Sequence, residues 1–80
     1  MTVGNVIRER IIQLCQEHNI SINKLSSISG VTQSTVNNIV SGRNNSATIS
    51  TIKKLCDGLD ISLREFFDSP IFDDIEQEIK

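Results

Sequence analysis

The sequence predicts an all-α fold, five helices followed by a short C-terminal amphipathic helix, and three observations carry that prediction. Apolar residues recur at helical spacing through successive short segments. A serine or threonine stands before most of these segments, where its side-chain oxygen would accept a hydrogen bond from a backbone N–H that the helix leaves unpaired. Glycines stand where segments stop, at Gly30, Gly42 and Gly58. The chain has 80 residues, close to the size at which a domain hides only about 60% of its surface, so one core is the limit.

In the first segment Val3, Val6, Ile7, Ile11, Leu14 and Cys15 form one apolar face, with Arg8, Glu9, Arg10, Gln13 and Glu17 elsewhere. His18 falls in the last turn, where partial positive charge suits the negative end of the helix dipole. Ser21 caps a second, shorter helix with Leu25 and Ile28 inward, ending at Ser29 and Gly30. Thr32 caps the third. Only Gly30 and Val31 separate this cap from helix two, so the two helices must cross steeply and in contact. Ser26 faces the crossing, where a small side chain fits, and its hydroxyl is expected to bond back to the Ile22 carbonyl.

Thr48 caps helix four, whose stripe is Ile49, Ile52, Leu55, Cys56 and Leu59, and Gly58 is expected to close it. Ser62 and Glu65 form a capping box for helix five, with Ile61 and Phe66 as its hydrophobic staple and Phe66 and Phe67 as core volume. Ser69 and Pro70 read as cap and first residue of a tail helix carrying Ile71, Phe72, Ile75 and Ile79 on one side. The boundaries that follow are a main domain over 1–68, with its helix-turn-helix proper over 21–41, and an acidic tail over 69–80.

Composition removes several classes of function. Cys15 and Cys56 have no CxxC partner and His18 is the single histidine. A zinc site and a disulfide framework therefore lack their ligands. No catalytic residue, metal or cofactor is expected, and the cysteines read as small buried hydrophobes. No apolar run approaches the roughly 20 residues that cross a bilayer, and the start MTVGNVIRER lacks the order of a signal peptide. The expectation is a cytoplasmic protein without a membrane partner. The net charge of −2 hides an asymmetry: residues 1–65 hold seven basic and five acidic side chains, whereas 66–80 hold one and five.

The third helix is the unusual one. Val36, Ile39 and Val40 gather on one side, Ser34, Asn37, Asn38 and Ser41 on the other, with Gln33 and Thr35 at the flanks. Asn, Ser and Thr each cost up to about 0.7 kcal/mol relative to Ala inside a helix. A merely solvated face is more cheaply filled with Glu, Lys, Gln or Arg. An uncharged row of amides and hydroxyls suits base edges in a major groove, where Gln or Asn bonds both N6 and N7 of adenine. An A·T-biased genome could supply the Asn and Ile residues, but it leaves the tight turn and the small residue at the crossing unexplained.

These residues resemble the lambda-repressor and Cro type of helix-turn-helix domain, the XRE family. The likeness covers residues 6–67 and rests on NISINKLSSISGVTQSTVNNIVSGRN followed by TISTIKKLCDGLDISLREFF. Leu25, Ser26, Gly30, Val36, Ile39, the pair Gly42 and Arg43, and the closing phenylalanines carry it. The resemblance implies a lambda-repressor-like fold and a recognition helix over 33–40 in the major groove of double-stranded DNA. Gln33, Ser34, Asn37 and Asn38 become base readers; Thr32, Thr35, Arg43, Asn44 and Lys24 become phosphate contacts. One departure stands out: the first turn of helix two often offers a phosphate-clamping Gln, and here that place holds Ile22. Asn23 or the amide end of the helix would have to substitute.

Lys24, Arg43 and one or both of Lys53 and Lys54 would let a monomer neutralise roughly two to four phosphates, too few for tight binding at physiological salt. A homodimer, as a transcriptional repressor of bacterial or phage type, is therefore the leading expectation. The tail has two candidate roles, joining two copies or folding back to complete the core. The rival reading is an interaction protein, such as an antitoxin, whose acidic tail over 69–80 grips a protein partner.

Overall fold

Each of the five α-helices in the computed structural model begins at a hydroxyl, and this shared device sets where the chain turns. The structure describes residues 1–42 and 47–79. The helices are α1 (Val3–Glu17), α2 (Ile22–Ser29), α3 (Gln33–Val40), α4 (Ile49–Leu59) and α5 (Leu63–Phe67), and a single 3-10 turn follows at Pro70–Asp73. The fold is all-helical. Thr2, Ser21, Thr32, Thr48 and Ser62 each accept a hydrogen bond from the backbone N–H three residues on, at 3.0–3.2 Å. Glu65 returns a bond to the Ser62 N–H and completes the expected capping box. Thr2 is a cap that the apolar pattern, starting at Val3, does not flag.

The core is built from the stripes. Val6, Ile11, Leu14, Leu25, Val36, Ile39, Ile52, Leu55 and Phe66 are all but fully buried, and both cysteines lie among them as free thiols. Burial of this apolar surface is the main stabilising term, at about 25 cal/mol per Å². Two stripe members fall outside it: Ile28 is 38% exposed and Ile49 is 61% exposed. Each sits at the margin of its helix's apolar arc, and the arc actually covered is narrower than the sequence pattern. Phe67 is likewise 38% exposed, so Phe66 alone supplies the deep aromatic volume.

Arg10 reverses the expectation that it faces solvent. It is buried, and its guanidinium donates from Nε to the Phe66 carbonyl at 2.6 Å, from Nη2 to the Glu65 carbonyl at 2.7 Å and from Nη1 to Gln13 Oε1 at 2.6 Å. The Phe66 carbonyl has no backbone partner among the described residues, whereas that of Glu65 also accepts the Asp68 N–H at 3.2 Å, and a buried cation is tolerable only when its donors are met. One side chain answers both needs.

Gly58 does not end α4. The helix runs on to Leu59 and stops at Asp60, which is left-handed at φ 58°. A Cβ at Gly58 would lie 2.8 Å from Ser29 Cα and 2.9 Å from Ser29 N. The glycine is there because α2 and α4 touch backbone to backbone, and an added methyl would have to push main chain aside.

The tail differs from the amphipathic helix expected over 69–80. Ser69 makes no side-chain cap, the 3-10 turn spans four residues, and Ile79 is 88% exposed. About ten residues cannot hold an α-helix alone, and packing supplies another shape. The turn rests on α1. Phe72 stacks its ring 5.0 Å from Phe67 and 6.2 Å from Phe66, and Ile71 shares a shallow groove with Ile12, Gln13 and Gln16 of α1. The Glu76 N–H donates to the Met1 carbonyl at 2.9 Å and the Met1 amine lies 3.8 Å from the Glu76 carboxylate. Of the two roles open to the tail, the structure shows the fold-back onto its own body.

Candidate nucleic-acid interface

The α2–α3 corner decides where the polar helix points. Gly30 adopts φ +70°, and its N–H donates to the Ser26 carbonyl at 3.1 Å. This is the left-handed ending that a side chain would strain. Ser26 is buried, and its hydroxyl donates forward to the Val31 carbonyl, not back to Ile22. The forward bond pairs a carbonyl that the turn would otherwise bury unmet, and it ties α2 across the corner to the entry of α3. Ser29 makes the back-bond instead, to the Leu25 carbonyl at 2.6 Å.

Val36 and Ile39 anchor α3 in the core and Val40 is half-buried against it. The opposite side carries Gln33, Ser34 and Asn37, all exposed, with Asn38 and Thr35 half-buried at its margins. Among the described residues no hydrogen bond engages the side chains of Gln33, Ser34, Asn37 or Asn38. The row of donors and acceptors is thus held on a buried rod and left open outward.

Thr32 Oγ1 accepts the Thr35 N–H and donates its own hydrogen to Thr35 Oγ1 at 2.8 Å. The Thr35 hydroxyl hydrogen remains to donate outward. Lys24 is exposed and is the only charged residue from Ser21 to Gly42, so no acid on α2 or α3 opposes a polyanion. Ile22 is half-buried against the core, which confirms that the first turn of α2 offers no side-chain clamp there, whereas its neighbour Asn23 is exposed. Arg43 and Asn44, two of the expected phosphate contacts, lie outside the described residues.

On α4, Lys53 pairs with Asp57 one turn on, and this hydrogen bond to the carboxylate raises the lysine's pKa. Both groups are exposed. Among the described residues no cluster of His, Cys, Asp or Glu could hold a metal ion, and no helix is long and apolar enough to cross a membrane. His18 caps the end of α1, exposed, its N–H on the Leu14 carbonyl.

A residue that the sequence did not single out reaches this face from α1. Arg8 places Nη1 3.9 Å from where a Cβ on Gly42 would sit, just past the end of α3. No local pattern could have shown it, because the contact joins positions far apart in the chain.

Comparison with known proteins agrees with this geometry. Residues 10–70 match the family model of the Cro/C1-type HTH DNA-binding domain. A solved structure described as the crystal structure of the prophage Lp1 protein 11 superposes with a TM-score of 0.81 at 37% identity, over 94% of this chain and 99% of that one. No curated protein matches.

Proposed function

Because this chain belongs to the Cro/C1-type helix-turn-helix DNA-binding family, we propose that it is a sequence-specific transcriptional regulator, a dimeric repressor that reads the major groove with α3. The observation that carries the reading is the open row on α3: amides and hydroxyls without hydrogen-bond partners among the described residues, on a helix anchored by Val36 and Ile39. In this reading Gln33, Ser34, Asn37 and Asn38 contact base edges, and Thr32, Thr35, Lys24, Arg43 and Asn44 hold phosphates. Thr32, its hydroxyl engaged with Thr35, serves chiefly by orienting that neighbour's free hydrogen. The unpaired N–H groups in the first turns of α2 and α3 add weak anion affinity of their own.

Few cations serve one copy, so a dimer on paired half-sites, roughly 34 Å apart, doubles the phosphate contacts. Ile71 and Phe72 of the tail are already engaged on the body, which favours a seam between copies elsewhere. A prophage protein as structural neighbour favours a phage-type regulator.

Selection of bound duplexes from a random pool tests the reading. An enriched motif is expected, and Asn38→Ala should relax preference at one base pair by roughly 1–3 kcal/mol while Arg43→Ala weakens all duplexes alike. Equal losses from both changes on every duplex would refute base reading. A second reading, an interaction protein such as an antitoxin, draws on Asp73, Asp74, Glu76 and Glu78, all exposed along the tail. Deleting 69–80 would then abolish capture of a basic partner without weakening DNA binding.

A further inference from the structure

We propose that Arg8 of α1 is an additional phosphate contact, a cation presented beside the C-terminal end of the reading helix. This rests on the DNA-binding role of α3 given above. The guanidinium has travelled from the first helix to the stretch just after the third, with Nη1 3.9 Å from the Cβ position of Gly42. Gly42 is exposed and left-handed at φ +82°, so the chain turns here and no side chain of its own screens the arginine. That small residue lets the cation stand at the surface where the glycine-basic loop begins.

The state of the arginine's donors points the same way. Nε is buried and, among the described residues, without a hydrogen-bond partner. Among the described residues Nη2 has only Glu9, at 3.8 Å, a distance beyond a good hydrogen bond. The side chain as a whole is 32% exposed. A buried arginine committed to structure looks different in this same molecule: Arg10, two residues on, satisfies Nε, Nη1 and Nη2 at 2.6–2.7 Å on internal acceptors. Among the described residues the outer donors of Arg8 make no hydrogen bond, and an arginine fork matches two phosphate oxygens. Glu9 is the group it would exchange for a phosphate.

The location also addresses the charge shortage. Lys24 is the one cation on α2 and α3, and the first turn of α2 holds Ile22 where a clamp would stand. A contact supplied from α1 adds one phosphate per copy without placing charge on the reading face, and it fixes the register of the end of α3 on the backbone.

The test is salt titration of a random-sequence duplex by the full chain, comparing wild type with Arg8→Gln, Arg8→Lys and Glu9→Gln at a temperature where melting curves show all four folded. Losing one phosphate contact should lower the slope of log K against log salt by about 0.9 per bound copy. Arg8→Gln is expected to show that loss, Arg8→Lys to keep the wild-type slope, and Glu9→Gln to bind more tightly at low salt. Wild-type binding with an unchanged slope in Arg8→Gln would overturn the inference alone, and so would a loss of affinity in Arg8→Gln that leaves the slope as it was. Wild type that ignores every duplex at low salt would remove the DNA-binding reading and this inference together.

Discussion

The α2–α3 corner and the 69–79 tail are both short and both lie against α1, but they are held by different means. At the corner every link is internal to a small closed network. Gly30 turns the chain, Ser26 bonds across to Val31, Leu25 and Val36 are sealed in the core, and α4 presses its bare Gly58 on Ser29 from behind. The tail is held by half-buried Ile71, Phe72 and Ile75 and by three contacts to Met1. Its acids face solvent, where ion pairs contribute little. The contrast teaches where this molecule can tolerate motion: the corner that sets the angle of α3 is overdetermined, and the tail, which only covers apolar area, is not.

The sharpest way to break the contrast is Gly58→Ala. Forcing a methyl against the Ser29 main chain should cost about 1–3 kcal/mol by overpacking, at the upper end because backbone cannot rotate away. Urea denaturation would show it as a lower midpoint at constant slope, with weakened DNA binding because α2 shifts under α3. Next comes Gly30→Ala, where no atom lies within 4 Å of the new Cβ. The cost is backbone strain alone, about 1–2 kcal/mol, and a melting temperature equal to wild type would refute the turn. Deleting 69–80 should cost less than Gly58→Ala, since the lost burial is partial and the freed chain regains conformational entropy. The same deletion should raise duplex affinity at low salt, because four exposed tail carboxylates (Asp73, Asp74, Glu76, Glu78) leave with it.

The smallest effect is an alkaline one on the body itself. Burial pushes the thiols of Cys15 and Cys56 above their ordinary value of 9.0. In the unfolded chain they lose protons first, so between the ordinary and the raised pKa the unfolded state binds fewer protons and stability falls as pH rises. Melting temperature should be flat from this source below that window and decline through it. Replacing both cysteines with Ala should remove that part of the decline, at the cost of core volume.

The corner was legible because its causes are local. A hydroxyl before an apolar period, a glycine after it and a capping box are readable at a spacing of three or four residues, and Ser21, Gly30, Thr32, Thr48 and Ser62 all behave as read. The polar row on α3 was legible because residues that make poor helices need a reason to be in one. What failed was long-range. The sequence contains Gly58 but not the Ser29 backbone it accommodates, and it contains Arg10 but not the carbonyls of Glu65 and Phe66 that meet its donors. Ser26 was placed at the crossing correctly and given the wrong acceptor, since Ile22 is near in sequence and Val31 is near only after the turn forms. The tail's spacing fits an amphipathic helix, yet α1 offers a surface that four residues of tighter turn cover well enough.

The touching of α2 and α4 has a kinetic side. Ser29 and Gly58 can meet only after the whole intervening chain, α3 included, has been drawn into a loop, and the entropy of that closure precedes any reward from burial. Single helices of this length form and dissolve within about a microsecond, so α3 flickers in the open chain with nothing to hold its angle. Docking of α4 on α2 must wait for that closure, and a residue without a side chain at position 58 lets the two main chains meet when it comes.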